Sequence, residues 1–135
     1  NDRVDVALAA GADGVHLGQS DLPADEARKI VGRRLLIGVS TSKLEEAQLA
    51  FEMGADYCGV GPMFASSTKQ KDFIAGPEYL AAYLHWGKLP GLAIGGITPG
   101  NISQLPGVPG VAVSSCVCAS DQLGAVVAEL LKAVS

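Results

Sequence analysis

Short aliphatic runs alternate with longer amphipathic stretches along the chain. Five runs read as buried strands: the aliphatic parts of "GADGVHLGQSD", "GADYCGVGP" and "GVPGVAVSS", with "LLIGVS" from Leu35 to Ser40 and "LAIGGI" from Leu92 to Ile97. Three of these segments open on a glycine after a helical pattern, at Gly11, Gly54 and Gly107. The amphipathic stretches read as helices. "DRVDVALAA" turns Val4, Val6, Ala7 and Leu8 largely to one side. "LPADEARKIVG" has Pro23 near its start and Gly32 just past its end. "SKLEEAQLAFEMG" spaces Leu44, Ala47, Ala50 and Phe51 at helical intervals. "PEYLAAYLHWG" and the closing "DQLGAVVAELLKAVS" repeat the pattern.

The predicted order is a helix, then five strands each followed by a helix. Strands separated by helical crossovers run parallel, and such crossovers are right-handed. Two α/β architectures fit, a doubly wound sheet or part of a (β/α)8 barrel. A complete barrel takes about 250 residues; this chain has 135 and opens on a helix. The alternation has no break, so residues 1–135 are expected to form a single domain.

Composition narrows the partners. The net charge is −4, which argues against a nucleic-acid backbone as the main ligand but not against a small phosphorylated molecule. No apolar run approaches the roughly 20 residues of a membrane span, and no secretory leader is expected before Asn1. Cys58 falls within one strand, and Cys116 and Cys118 are expected to close another. Without further Cys or His at ligand spacing they read as reduced thiols, consistent with a cytoplasmic protein.

In parallel α/β folds the chemistry gathers at the C-terminal ends of the strands. Here those ends carry Gln19, Ser20 and Asp21; Ser40, Thr41 and Ser42; Gly61-Pro62 and the loop with Ser66, Thr68 and Lys69; Gly95-Gly96; and Ser114-Ser115. Asn1 and Asp2 stand before the first helix, on the same rim. Two glycines opening a helix expose amides to an anion. Ser114 and Ser115 add donors before the last helix. Lys69 supplies a point charge for a pyrophosphate. Asp2 and Asp21 suit a hard cation such as Mg²⁺. Each also has a plainer reading: Asp21 as a helix-start residue, Asp2 as a first-turn acid, Gly95-Gly96 as a turn, Ser40 as an ordinary strand-end hydroxyl. His16 reads as structural. The convergence of five strand ends on one ligand type favours the site.

The segments "NDRVDVALAAGADGVHLGQSDLP", "IGVSTSKLEEA", "GADYCGVGPMFASSTKQKD" and "AIGGITPGN" together resemble the thiamine-phosphate synthase (thiamine-phosphate pyrophosphorylase) family. The resemblance implies a (β/α)8 barrel, of which this chain would be the last five-eighths, without the first three strands. It implies a transferase that joins hydroxymethylpyrimidine diphosphate to a thiazole phosphate, releasing pyrophosphate and giving thiamine phosphate. It implies that Asp2 and Asp21 hold Mg²⁺, with Asn1 beside them on the diphosphate, and that Lys69 binds the diphosphate. Ser40 would lie near the reacting methylene and the leaving oxygen. Ser66 and Thr68 would bond the thiazole, and the backbones of Gly96, Ser114 and Ser115 would hold its phosphate. Ser66 departs from the family's usual threonine but keeps the hydroxyl. "NISQLPGVPG" is shorter and richer in proline than the family's helix and turn. The family's upstream Gln, Arg and Lys are absent, so the isolated chain is expected to be inactive and to need an N-terminal segment or a second copy. A thiazole tautomerase-like isomerase and a non-catalytic phosphate-binding domain are the alternative readings.

Overall fold

The computed structural model describes residues 1–65, 73–107 and 109–134. Helix α1 (Val4–Ala9) leads into β1 (Gly14–Leu17). There follow α2 (Ala24–Val31), β2 (Leu36–Thr41), α3 (Leu44–Glu52), β3 (Tyr57–Val60), α4 (Gly76–Trp86) and β4 (Gly91–Ile94). A single 3-10 turn (Ile102–Gln104) then precedes β5 (Val111–Ala112), α5 (Ser115–Cys118) and α6 (Leu123–Ala133).

All four strand pairings are parallel, and the order across the sheet is the order along the chain. A doubly wound sheet reverses its strand order at a switch point. None occurs among the described residues, so the sheet is an arc of a (β/α)-barrel wall. Its two faces differ. Val15, Leu17, Ile37, Val39, Cys58, Val60 and Ala93 are buried together with Ala27, Val31, Ala47, Ala50, Leu80 and Tyr83 from the helices. The alternate positions point the other way: Leu36 is 54% exposed, Leu92 38% and Ile94 39%. One face thus packs under helices and the other lies open, and β1 and β5 are edge strands among the described residues.

Sequence and structure differ in the last third. Gly95 and Gly96 do not open an α-helix; among the described residues between β4 and β5 the only helical element is the 3-10 turn. The segment between β4 and β5 holds Pro99, Pro106 and Pro109, and proline inside a helix removes a donor and clashes with the preceding turn. The strand expected at "GVPGVAVSS" shrinks to two residues. Cys116 and Cys118 lie in α5 rather than closing a strand, because the Ser114 carbonyl accepts the amides of Val117 and Cys118 at 3.0 and 2.9 Å. Among the described residues no group of three or more His, Cys, Asp or Glu is placed to hold a metal. No described helix is long and apolar enough to cross a membrane.

Candidate functional site at the C-terminal ends of the strands

The end of β1 is bracketed by two acids. The Asp2 amide donates to the His16 carbonyl at 2.9 Å, which sets the segment before α1 alongside β1. Asp2 has φ +60°, the left-handed region that few non-glycine residues occupy and that aspartate tolerates better than most. The Asp21 Oδ2 accepts the Gly18 amide at 2.6 Å, closing a tight turn just past the strand. Asp21 also lines a cleft of about 140 Å³ between α2 and α3, with Gln19, Glu46 and Met53. Asp2 makes no side-chain hydrogen bond among the described residues, but its carboxylate is close enough to favour the charged form of His16.

Ser40, at the end of β2, is held from two sides. Its carbonyl accepts from Gln19 Nε2 at 2.7 Å, and its Oγ lies 2.9 Å from His16 Nε2. The other ring nitrogen of His16, Nδ1, is 3.1 Å from the Tyr57 hydroxyl. The sheet register creates this contact. His16 pairs with Gly38, Gly38 with Tyr57, and Ser40 with Gly59, so all of them share the open face. The glycines make the room. A Cβ on Gly38 would fall 2.1 Å from the Tyr57 ring, and one on Gly59 would meet His16 at 3.2 Å. Burial pushes the His16 pKa down, opposed by the Asp2 carboxylate, and burial pushes Tyr57 up. An open hollow of about 390 Å³ passes over this part of the sheet, lined by Asn1, His16, Leu36 and Tyr57 among others.

Ser42 does not join the site. Its amide and hydroxyl both bond the Glu46 carboxylate, at 2.7 and 3.1 Å, which ties down the entry to α3. Thr41 is also structural. It is buried, its Oγ1 donating to the Gly59 carbonyl at 3.2 Å and accepting from Tyr79 at 2.6 Å.

The loop after β3 leaves and returns at one point, since the amides of Ala75 and Gly76 both donate to the Pro62 carbonyl. Its first residues run against the end of β4: Met63 N–H donates to Ile94 and Phe64 N–H to Gly95. Ser66, Thr68 and Lys69 lie outside the described residues. Gly95 and Gly96 have φ of +98° and +64°. Asn101 braces the turn, donating to the Gly96 carbonyl and accepting from the Thr98 amide, each at 2.8 Å. The Gly96 amide has no acceptor among the described residues. Ser114 and Ser115 are exposed at the start of α5, and neither hydroxyl has a described partner.

Of the expected residues that the structure describes, Asp2, Asp21, Ser40, Gly96, Ser114 and Ser115 stand at or just past the C-terminal ends of the strands, while Asn1 lines the hollow over the open face beside Gly14 and Leu36. His16, which the sequence reads as structural, and Tyr57, which it does not single out, join Ser40 through hydrogen bonds to the two ring nitrogens. The signal for it was a histidine two residues after Gly14, on the same face, facing strands with glycine at alternate positions.

A family model described as thiamine monophosphate synthase matches residues 1–117. The chain is 48% identical to the thiamine-phosphate synthase of Gloeobacter violaceus over 134 residues, covering 98% of this chain and 39% of that protein. It is 52% identical to the thiamine-phosphate synthase of Chlorobium limicola over 121 residues, 87% of this chain and 57% of that one. A solved structure of thiamine phosphate pyrophosphorylase from Pyrococcus furiosus superimposes with a TM-score of 0.87 at 41% identity, over 98% of this chain and 64% of that one. The chain spans about half the length of the curated relatives it matches. With its family match, these identities and this fold, the chain belongs to the thiamine monophosphate synthase family.

Proposed function

We propose that this chain supplies most of the active site of a transferase that joins hydroxymethylpyrimidine diphosphate to a thiazole phosphate, releasing pyrophosphate and giving thiamine phosphate, in the cytoplasm. The observation that carries the reading is the run of ligand-ready groups on one rim: the Asp2 and Asp21 carboxylates, the Ser40 hydroxyl, the Gly96 amide and the Ser114 and Ser115 hydroxyls. Two phosphorylated substrates need such a set, with acids for a cation at one end and neutral donors for a phosphate at the other.

Asp2 and Asp21 would hold Mg²⁺. They flank the same strand end and offer hard oxygen donors, and two carboxylates completed by phosphate oxygens and water suit this ion. When bound, the ion neutralises charge that develops on the departing diphosphate. Asn1, next to Asp2 in the chain, would bond the diphosphate, a role that rests on the family resemblance. Lys69 would bind it from the loop after β3, and Ser66 and Thr68 from that loop would bond the thiazole. These three roles rest on the family resemblance.

In the proposed sequence the diphosphate leaves first, and the thiazole nitrogen captures the resulting pyrimidine-stabilised cation. Ser40 donates a hydrogen bond to the oxygen that departs. The Gly96 amide with Ser114 and Ser115 fixes the thiazole phosphate, which sets the nitrogen's distance from the cation. No protein nucleophile is required; positioning and electrostatic stabilisation carry the step. The open face bearing Leu36, Leu92 and Ile94 would be covered by strands from outside these 135 residues or from a second copy.

The test is an assay of the complete encoded protein with both substrates and Mg²⁺, following thiamine phosphate and pyrophosphate by chromatography. Equal amounts of the two products, lost on chelation and restored by Mg²⁺, are expected. Isomerisation of a thiazole substrate alone, or binding of both substrates without turnover, would overturn the reading.

A further inference from the structure

We propose that His16 is a positioning residue for the reaction: its Nε2–H donates to the Ser40 hydroxyl oxygen, so that the Ser40 hydrogen is left free for an anionic oxygen of the substrate. The inference rests on the proposed function, which sets Ser40 against the diphosphate.

The number of hydrogens the ring can offer decides the arrangement. The His16 ring is engaged at both nitrogens, Nδ1 with the Tyr57 hydroxyl and Nε2 with Ser40 Oγ. A neutral imidazole carries one N–H and one acceptor nitrogen. Two arrangements satisfy the chain Tyr57–His16–Ser40. In the first, Nδ1–H donates to Tyr57 and the Ser40 O–H donates to Nε2. Ser40 then presents only lone pairs outward and repels a phosphate oxygen. In the second, the Tyr57 O–H donates to Nδ1, and Nε2–H donates to Ser40. The single hydrogen of Ser40 then points to the ligand. An anionic ligand selects the second arrangement, in which the Tyr57 O–H satisfies Nδ1 and the ring proton stays on Nε2.

The surrounding backbone holds this geometry. Gly38 admits the Tyr57 ring, Gly59 admits the His16 ring, and Gln19 holds the Ser40 carbonyl. A histidine that served packing alone would not need one glycine beneath its partner and another beside its own ring.

The test uses the complete encoded protein and four variants. Ser40→Ala is expected to lower kcat about tenfold or more, as loss of a hydrogen bond to a charged group does. His16→Leu, which keeps bulk without a donor, should lower kcat to a similar extent with little change in KM for the diphosphate. His16→Gln, whose amide N–H reaches toward the same point, should recover most of it. The double variant His16→Leu/Ser40→Ala should be no slower than Ser40→Ala alone. Melting temperatures within a few degrees of wild type should accompany these changes. If His16→Leu does not fold, Tyr57→Phe replaces it, with a several-fold loss of kcat expected that is absent in the Ser40→Ala background. Equal losses in His16→Gln and His16→Leu, or losses that multiply in the double variant, would overturn the positioning role. Wild-type kcat in His16→Leu, with Ser40→Ala impaired, would sink the positioning role alone. Wild-type kcat in Ser40→Ala would remove both this role and the assignment of Ser40.

Discussion

At the N-terminal ends of the strands the Arg28 guanidinium donates to the carbonyls of Gly32, Leu35 and Gly54, at 2.7, 3.0 and 2.8 Å, and pairs with Asp56. The same Asp56 oxygen accepts the Ile37 amide at 2.7 Å. One side chain of α2 thus closes the end of its own helix, the entry to β2 and the entry to β3. At the C-terminal ends Asp2 makes no side-chain hydrogen bond among the described residues, the Gly96 amide has no described acceptor, and the Ser114 and Ser115 hydroxyls stand exposed. Both rims carry charged and polar groups. On one the groups around Arg28 are consumed by the chain itself, and on the other Asp2, the Gly96 amide and the two serines are left for water or a ligand. Half-buried polar groups must be paired for the fold to hold. Groups meant for a ligand must stay open, and an open strand end lets water satisfy them until the ligand arrives.

The comparison breaks most visibly at Asp21. Asp21→Asn keeps an oxygen for the Gly18 amide but removes the charge. A loss of about 100-fold in kcat/KM is expected, the scale of removing one charge-stabilising group. The Mg²⁺ concentration for half-maximal rate should rise, and the melting temperature should stay put. Steady-state rates across a Mg²⁺ titration read this directly. A variant with wild-type rates and lowered melting temperature would make Asp21 a second Asp56.

Arg28→Ala is the reverse case. The ion pair is only half-buried, with side-chain exposures of 24% and 38%, so its charge contributes little beyond the hydrogen bonds. Several carbonyls nevertheless lose their donor together, and a cost of about 1.5–3 kcal/mol is expected. Urea titration measures it, and kcat of the folded variant should match wild type. A fall in kcat at unchanged stability would mean that the two rims communicate.

Much of this was legible in the sequence because it depends on local period and on a topological rule. Alternating strands and helices of 4–11 residues are readable from spacing and from Gly32, Gly54 and Gly87 at helix ends. The rim follows once the strands are parallel. What escaped depends on register or on chain length between elements. His16 meets Tyr57 across 41 residues and Ser40 across 24. Only the pairing of His16 with Gly38, and of Gly38 with Tyr57, brings them together. Arg28 and Asp56 are likewise 28 residues apart. The two Gly-Ala-Asp turns read as repeats, yet only the second Asp, Asp56, ties strand to helix. The helix expected after β4 failed for a local reason, the prolines around a short segment.

Gly96 tests a position that belongs to both kinds. Its φ is +64°, and a Cβ there would fall 2.4 Å from the Ala65 carbonyl oxygen and 2.7 Å from that of Phe64. Both neighbours are backbone and cannot swing aside. Gly96→Ala should therefore cost about 1 kcal/mol or more in stability. It should also raise KM for the thiazole phosphate several-fold, because the loop after β3 and the amide shift together. Calorimetry and initial rates on the same preparation check the two effects. A stability loss with unchanged KM would leave Gly96 as packing alone.

The smallest effect separates the two uses of a hydroxyl. Ser114 stands at the N-cap of α5, where a serine side chain commonly accepts an amide of the first turn and its loss costs about 1 kcal/mol. Here the side chain makes no such bond. Ser114→Ala should change stability by less than about 0.5 kcal/mol, as for an exposed side chain without partners. KM for the thiazole phosphate should rise about two- to fivefold, the loss of one neutral hydrogen bond to the ligand. Thermal unfolding with and without the thiazole phosphate distinguishes the cases: the free proteins should melt together, and the ligand should raise the variant's melting temperature less. A variant that melts early without ligand would make Ser114 a cap, and the open rim would lose one of its donors.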